Sequence, residues 1–434
     1  MTYIREVRFL VLDALIVGAG IIGLSIAYHL KSACPEKHVL VIEAKEGPGL
    51  GDTGKSAAAF RSFFYSKTNL ALASSSVEFY EHVQEELGFD LGMKFIGYLF
   101  LLTKRKYFEI KSALNYIAKK GLNFELIDRD SLEKRINVRT LISHEKDSKL
   151  MGLEDIHLGI FIKKAGIIDP LKIVKFYEEQ FLRLGGKVAY NTKALELIVE
   201  PRKPLGLPNE PYPWQDVRIA GARTSQGVFK AKKTIVAAGA QTPQLLDPIG
   251  IDVHVKPKKR QVFVIKAETL ELKKLLKVKG FNRENILPLT ILPKGVYIRP
   301  AIEENSFWVG MSDYIGRAFK WEENPQPEPK FYFNGIYMVL FKYFPQFTGA
   351  KPSRAWAGFY DISLDYQPVI FETADLIVAA GTSGSGIMKA EAIGRIVKSL
   401  YLGEKYAELY GGEKFRVKDL SLDERRVEKE KLVI

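Results

Sequence analysis

The stretch ALIVGAGIIGLSIAYHL, Ala14 to Leu30, decides the fold. It begins with apolar, partly β-branched residues, a strand signature, and then meets Gly18, Gly20 and Gly23. Beyond the turn, Ile21, Ile22 and the aliphatic residues after them recur at helical spacing. Strand, tight turn and helix N-terminus can thus follow one another with no Cβ between the backbone and a pyrophosphate. The free amides of the helix start, at the positive end of its dipole, favour that negative charge. A second strand, HVLVIEA, brings Glu43 and Ala44 about twenty residues later, where a carboxylate can accept both hydroxyls of an adenosine ribose. The unit reads as a dinucleotide site.

The chain has 434 residues, long enough for two domains, and its 47% hydrophobic and 26% charged composition is that of a soluble globular protein. The N-terminus looks superficially like a signal peptide, but Glu6 and Asp13 interrupt it and its apolar part is the first strand. The expectation is a cytoplasmic protein, with contact at the inner face of the membrane left open. A single cysteine, Cys34, excludes an intrachain disulfide, and six scattered histidines give no metal-ligand spacing, so no metal is expected. The net charge of +13 reads mainly as a lysine-rich solvated surface, and no nucleic-acid motif accompanies it. The abundance of Lys and Glu suits a thermophile.

Further along, GLGDTGKSAAAFRSFF (Gly49 to Phe64) is a glycine-rich loop entering an alanine run. Helices are predicted after it from TNLALASSSVEFYEHVQEELG, from about Lys106 to Gly121, from Ser131 to Arg135 and from IDPLKIVKFYEEQFLRLGG. GMKFIGYLFLLT reads as a strand pair or long strand, and KVAYNTKALELIVE as one strand. A proline-dense excursion covers 201–215, and the pattern is β-rich from His254 to about Gly316. The aromatic KFYFNGIYMVLFKYFP is predicted to be a helix of the core or of a subunit contact. βα units thus enclose a β-rich middle. The last ten residues, RRVEKEKLVI, are expected to be a frayed tail with an apolar tip.

Taken together, GAGIIG, GDTGKSAAAFR, FIGYLFL, AGIIDP, TIVAAGAQT, WAGFYDISLDYQPVI and AAGTSGSGIMKAEAIGR resemble the D-amino acid oxidase and sarcosine oxidase superfamily of FAD-dependent enzymes. Within it the wording is similar to archaeal dye-linked L-proline dehydrogenases. The resemblance implies an α/β (α+β overall) fold: a Rossmann-like FAD-binding domain, discontinuous in sequence, and a substrate domain on a mixed or antiparallel sheet. Residues 1–91, 160–250 and 346–434 are assigned to the first, and 92–159 and 251–345 to the second. It implies an FAD held by Gly18, Gly20, Ile21, Ile22, Gly23, Glu43 and Ala44, expected to be non-covalent because Gly358 stands in place of the cysteine that covalent-flavin relatives use. Gly51, Asp52, Ser56, Ala57, Ala58, Ala59 and Phe60 would run close to the flavin, Ala194 would meet the adenine, and Ala237, Ala238 and Gly239 would approach at a second strand–turn. The late turn through Gly381, Thr382, Gly384, Ser385, Gly386, Ile387 and Met388 offers unpaired amides that can stabilise negative charge on a reduced flavin.

Flavin oxidation of an amine needs no protein nucleophile, only orientation of the C–H bond beside an unprotonated nitrogen. Arg61 is the leading anchor for a substrate carboxylate, since its guanidinium offers a bidentate fork and it ends the AAAFR stretch as the family's substrate-binding arginine does. Arg299 is a second candidate; Tyr297, Tyr360 and Met388 are candidate pocket walls. Two departures from the family matter. Gly358 stands where relatives with covalent flavin carry cysteine, and Trp308 where sarcosine-type oxidases carry the lysine that activates oxygen. The expected enzyme is therefore a dehydrogenase of an amino acid, L-proline first, that passes electrons to a quinone or dye. An oxidase of sarcosine, N-methyl or D-amino acids, a hydroxy-acid dehydrogenase and a substrate-free electron-transfer subunit are the alternatives, and self-association is left open.

Overall fold

A computed structural model describes residues 11–119, 121–313 and 315–432. Residues 1–10 of the expected first segment, and Val433 and Ile434 of the apolar tip, lie outside them. The strand Leu12–Val17 is the centre of the first sheet, with Gly227–Val236 on one side and Val39–Ile42 on the other, all parallel. Burial on both faces is why it reads as a continuous apolar run rather than an alternating one. Leu376–Ala380 and Lys187–Ala189 extend the parallel core, and the antiparallel Val369–Thr373 closes one edge. The helix Ile21–Ala33 covers one face with Pro170–Arg183 and Ala390–Tyr401, and Ser25 Oγ donates to the Ala390 carbonyl at 2.8 Å. This is the expected Rossmann-like unit.

The second sheet runs in the order Arg354–Ser363, Val255–Lys266, Ser306–Met311, Val296–Ala301, Leu289–Ile291, Tyr98–Thr103, Ile156–Ile162, Glu125–Ile127. It is mixed, because Leu289–Ile291 pairs parallel with Tyr98–Thr103 while the other neighbours are antiparallel. Side chains alternate across its strands. Val296, Ile298, Phe307 and Val309 enter a core closed by Tyr332, Ile336, Leu340 and Tyr343 of the aromatic helical segment. Tyr297, Arg299, Trp308 and Gly310 therefore belong to the opposite face.

Three sequence expectations are corrected here. KVAYNTKALELIVE is two strands, Lys187–Ala189 and Ala194–Pro201, because Asn191 turns to φ 52° while its amide and that of Thr192 bond the Lys45 and Glu43 carbonyls. GMKFIGYLFLLT becomes a strand only at Tyr98, since Gly97 at φ +82° breaks the extended run. Arg354–Ser363 and the end of Ile156–Ile162 pair into the second sheet, although the expected division places 160–162 and 354–363 in the first domain. No helix among the described residues is long and apolar enough to cross a membrane.

Lys389, just before the last long helix, is fully buried, with Nζ 5.2 Å from the Phe64 ring centre and no hydrogen-bond partner among the described residues. Burial is the main influence on its pKa and lowers it from 10.5 to about 7; Glu430 and Asp361 oppose the fall and Arg61 adds to it. An unfolded chain titrates this amine at its ordinary value, so between those two pH values the unfolded state binds the extra proton. Stability then rises as pH climbs through that window and is lowest below it, by an amount on the order of a few kcal/mol. Lys389→Met is expected to raise the urea midpoint clearly at pH 7 and progressively less towards pH 10.5. An equal gain at both ends would show that the amine's charge is not what the fold resists.

Candidate active site

Between the two sheets lies a cavity of about 380 Å³. Its floor is the first strand–turn–helix, at Gly18, Gly20, Ile21 and Ile22, joined by Glu43 and Ala44. At Gly18, with φ +107°, a Cβ would stand 2.6 Å from the Ala237 carbonyl oxygen. At Gly23 it would stand 1.9 Å from the Gly18 carbonyl oxygen, so the helix meets the turn main chain to main chain. Gly20 caps the helix with no side chain, and the amide of Ile21 donates to Thr53 Oγ1 at 3.2 Å. Glu43 accepts from the amides of Ala19 and Lys45 at 2.8 and 2.9 Å, which fixes its carboxylate on the cavity edge.

The loop residues Gly51, Asp52, Ser56 and Ala57, then Ala194, Ala237, Ala238 and Gly239, continue the wall, and Thr382, Gly384, Gly386 and Ile387 complete it. Of the other expected cofactor residues, Gly23, Ala58, Phe60 and Gly381 stand behind this wall and line neither cavity. Two carboxyls sit at the wall. Asp52 is pushed up to about 6, mainly by burial, although the Phe359 amide donates to it at 2.8 Å and partly offsets the rise. Burial also raises Asp361, which accepts from Thr382 Oγ1 at 2.7 Å and thereby braces the late turn. Gly384 lets that turn pass the ring of Tyr360: a Cβ there would lie 2.2 Å from the ring.

A smaller chamber of about 90 Å³ shares Ser56, Ala57, Tyr297, Tyr360 and Gly384 with the large cavity. Ala59, Arg61, Tyr98, Ser385, Met388 and Leu432 are among its other lining residues. Arg61 is 4% exposed, its guanidinium 4.3 Å from the Phe64 ring centre. It donates to the carbonyls of Phe63 at 2.7 Å and Leu432 at 2.5 Å, one N–H from each terminal nitrogen, and it lines the chamber with the rest of its donors uncommitted in these two bonds. Burial pushes the hydroxyls of Tyr98 and Tyr297 well above the phenol range, so both are neutral.

Arg299 and Trp308 line neither cavity, contrary to their expected roles. The Arg299 guanidinium stacks 4.1 Å from the Trp308 ring centre and donates to the Pro300 carbonyl, while Trp308 Nε1 donates to Glu304. Tyr297 lies over Gly310 and forms the wall at that level instead. The tail is not frayed through Leu432. Glu430, 3% exposed, accepts from the amides of Tyr65, Ser66 and Leu432 and from the side chains of Ser66 and Asn69. Burial alone would raise its pKa, and those amides together with Arg61 more than reverse that, so it stays below the usual carboxylate range. Thr53, Lys55, Arg260 and Trp321 also line the large cavity and were missed. Thr53 and Lys55 sit inside the quoted glycine-rich loop, whereas Arg260 and Trp321 carry no local signal.

A family model described as FAD dependent oxidoreductase matches residues 13–400. The chain belongs to the DAO family. FAD-dependent oxidoreductase domain-containing protein 1 of Xenopus laevis is 25% identical over 428 residues, which span 89% of this chain and 78% of that protein. Monomeric sarcosine oxidase of Bacillus sp. (strain B-0618) is 21% identical over 407 residues, 91% and 93% of the two chains. Among solved structures, L-proline dehydrogenase from P. horikoshii aligns with a TM-score of 0.72 at 22% identity, covering 95% of this chain and 97% of that one. As a DAO-family oxidoreductase the protein uses FAD, and the cavity suits it: a floor of bare main chain at Gly18 and Gly20, with a carboxylate at its rim.

Gly18→Ala, which meets both a carbonyl and an unfavourable φ, is expected to leave the purified protein without flavin absorbance; a yellow, fully loaded variant would show that the turn does not bear on the cofactor. Glu430→Ala removes five hydrogen bonds from the tail and is expected to speed amide hydrogen exchange across residues 428–432 relative to the wild type.

Proposed function

We propose that this protein oxidises the C–N bond of a small amino acid, L-proline first, and hands the electrons to a quinone or dye rather than to oxygen. The observation that carries this reading is the chamber: about 90 Å³, next to the dinucleotide cavity, apolar at Ile291, Leu289 and Met388, with one buried guanidinium. Such a volume excludes large side chains and suits a compact ring or short chain. The fold shared with an L-proline dehydrogenase supports the same substrate.

In this reading Gly18–Ile22 would hold the pyrophosphate of FAD, Glu43 its ribose, and Tyr360 with the turn at Gly384–Ile387 its ring. Bound there, it supplies the two-electron acceptor for the C–H bond beside the substrate nitrogen. Everything else falls to the chain. Arg61 takes the carboxylate on the part of its fork that Phe63 and Leu432 leave open. Glu430, ionised in the same wall, balances part of the Arg61 charge, so the apolar walls at Leu289, Ile291 and Met388 are what favour the amine in its neutral, oxidisable form. Neutral Tyr297, with the ring of Tyr360, holds the substrate between the sheet and the cavity and keeps water out. Arg260, the cation that the second sheet brings to the wall, is matched by Asp313 at 2.7 Å. That pairing leaves less free positive charge to stabilise superoxide-like charge, in keeping with an acceptor other than oxygen.

Anaerobic mixing with L-proline is expected to bleach the flavin faster than sarcosine or D-alanine does, with dye reduction far exceeding peroxide release in air. Faster bleaching by sarcosine would move the substrate, and stoichiometric peroxide would move the acceptor. Arg61→Met is expected to raise KM by about 10- to 100-fold, the value of a charge-assisted hydrogen bond to a carboxylate, with a smaller change in kcat.

A further inference from the structure

Residues 312–328 leave the second sheet after Ser306–Met311 and return to it before the aromatic helical segment, with no regular element among the described residues of the span. Both ends are bound to one short stretch of the neighbouring strand, Lys258 to Gln261. Asp313 pairs with Arg260 at 2.7 Å, and the Arg317 carbonyl accepts from Lys258 at 2.8 Å. At the other end, Glu328 pairs with Lys259 at 2.8 Å and its amide donates to Gln261 at 2.5 Å. Arg317 ties the two ends together through Asp313 at 3.1 Å and Glu328 at 2.6 Å, and it pulls Glu328 down to about 2. The segment is therefore a loop with a multiply bonded, half-buried base.

Its tip is held differently. Glu322 lies 3.6 Å from Lys259 on the second sheet, and the very next residue, Glu323, pairs at 2.5 Å with Lys193 at the start of Ala194–Pro201, in the other sheet. Consecutive residues thus reach across from one sheet to the other, and Trp321 beside them lines the large cavity, as does Lys193. The pair that crosses is exposed, at 44% and 67% of the two side chains, so it holds weakly and yields to salt.

We propose that the 312–328 loop is a gate on the cofactor: Trp321 closes over the nucleotide in the large cavity, and the Lys193–Glu323 pair is its latch. The proposal rests on the reading that FAD occupies that cavity. A fixed base with a weakly held tip lets the loop swing without loss of fold. An indole at the tip offers a flat apolar surface to a heterocycle or ribose, and closing it should slow escape more than entry.

The test uses the FAD-loaded protein and follows flavin release on dilution, by the rise of free-flavin fluorescence. Trp321→Ala is expected to release FAD about five- to tenfold faster, the usual value of one aromatic contact, with Trp321→Phe near the wild type. Lys193→Glu and Glu323→Lys should each speed release about two- to fivefold, the double reversal should restore the wild-type rate, and high salt should erase the difference. Loading FAD should quench the tryptophan emission of the wild type more than that of Trp321→Phe. Release unchanged in Trp321→Ala, or a double reversal as fast as the single ones, would overturn the gate. A wild-type chain that takes up no FAD at all would instead overturn the cofactor reading beneath it.

Discussion

The contact on which the rest depends is that of the Ile21–Ala33 helix with the turn that precedes it. A Cβ at Gly23 would overlap the Gly18 carbonyl oxygen, and one at Gly18 the Ala237 carbonyl. Two strands and a helix therefore converge at main-chain separation. Convergence that close brings the helix start to the surface of a cavity, where Thr53 Oγ1 is the side-chain atom its Ile21 amide meets, and it sets the level of the surrounding walls. The late turn at Gly384 repeats the arrangement from the far end of the chain, this time against the ring of Tyr360. One polypeptide grips the same cavity with its beginning and its end.

Three buried ionisable side chains stand near the smaller chamber. Arg61, Lys389 and Glu430 are all under 5% exposed. Their settlement is uneven. Glu430 is surrounded by amides, Arg61 has two carbonyls, and Lys389 has no hydrogen-bond partner among the described residues. A buried cation without a partner costs stability, which a protein tolerates more readily where function draws on the field it makes. The tail is part of this arrangement, since Glu430 and Leu432 bring an anion and a carbonyl from the end of the chain into the chamber wall.

Much of this was legible in the residues. The dinucleotide floor could be read because its requirements are local: a β-branched run, glycines at fixed spacing and an acid one strand later all lie within about thirty residues. The late turn was legible for the same reason, and so was Arg61 as a chamber residue. Arg299 and Trp308 were misplaced because strand alternation puts them on the right face but not at the right height, and Tyr297 over Gly310 takes that place. The docked tail was missed because a charged run followed by an apolar tip looks the same whether it is solvated or bound.

The sequence by itself determined the glycine turn between first strand and helix, the discontinuous βα framework and the family, since backbone conformation and hydrophobic period are properties of neighbouring residues. Only the tertiary structure decided the size of the chamber, the partners of Arg61 and the loop that brings Trp321 to the cavity wall. Those depend on contacts between residues as distant as Arg61 and Leu432, or Lys193 and Glu323. Such pairs are brought together by the packing of two sheets, and nothing in the local pattern of either partner records the other.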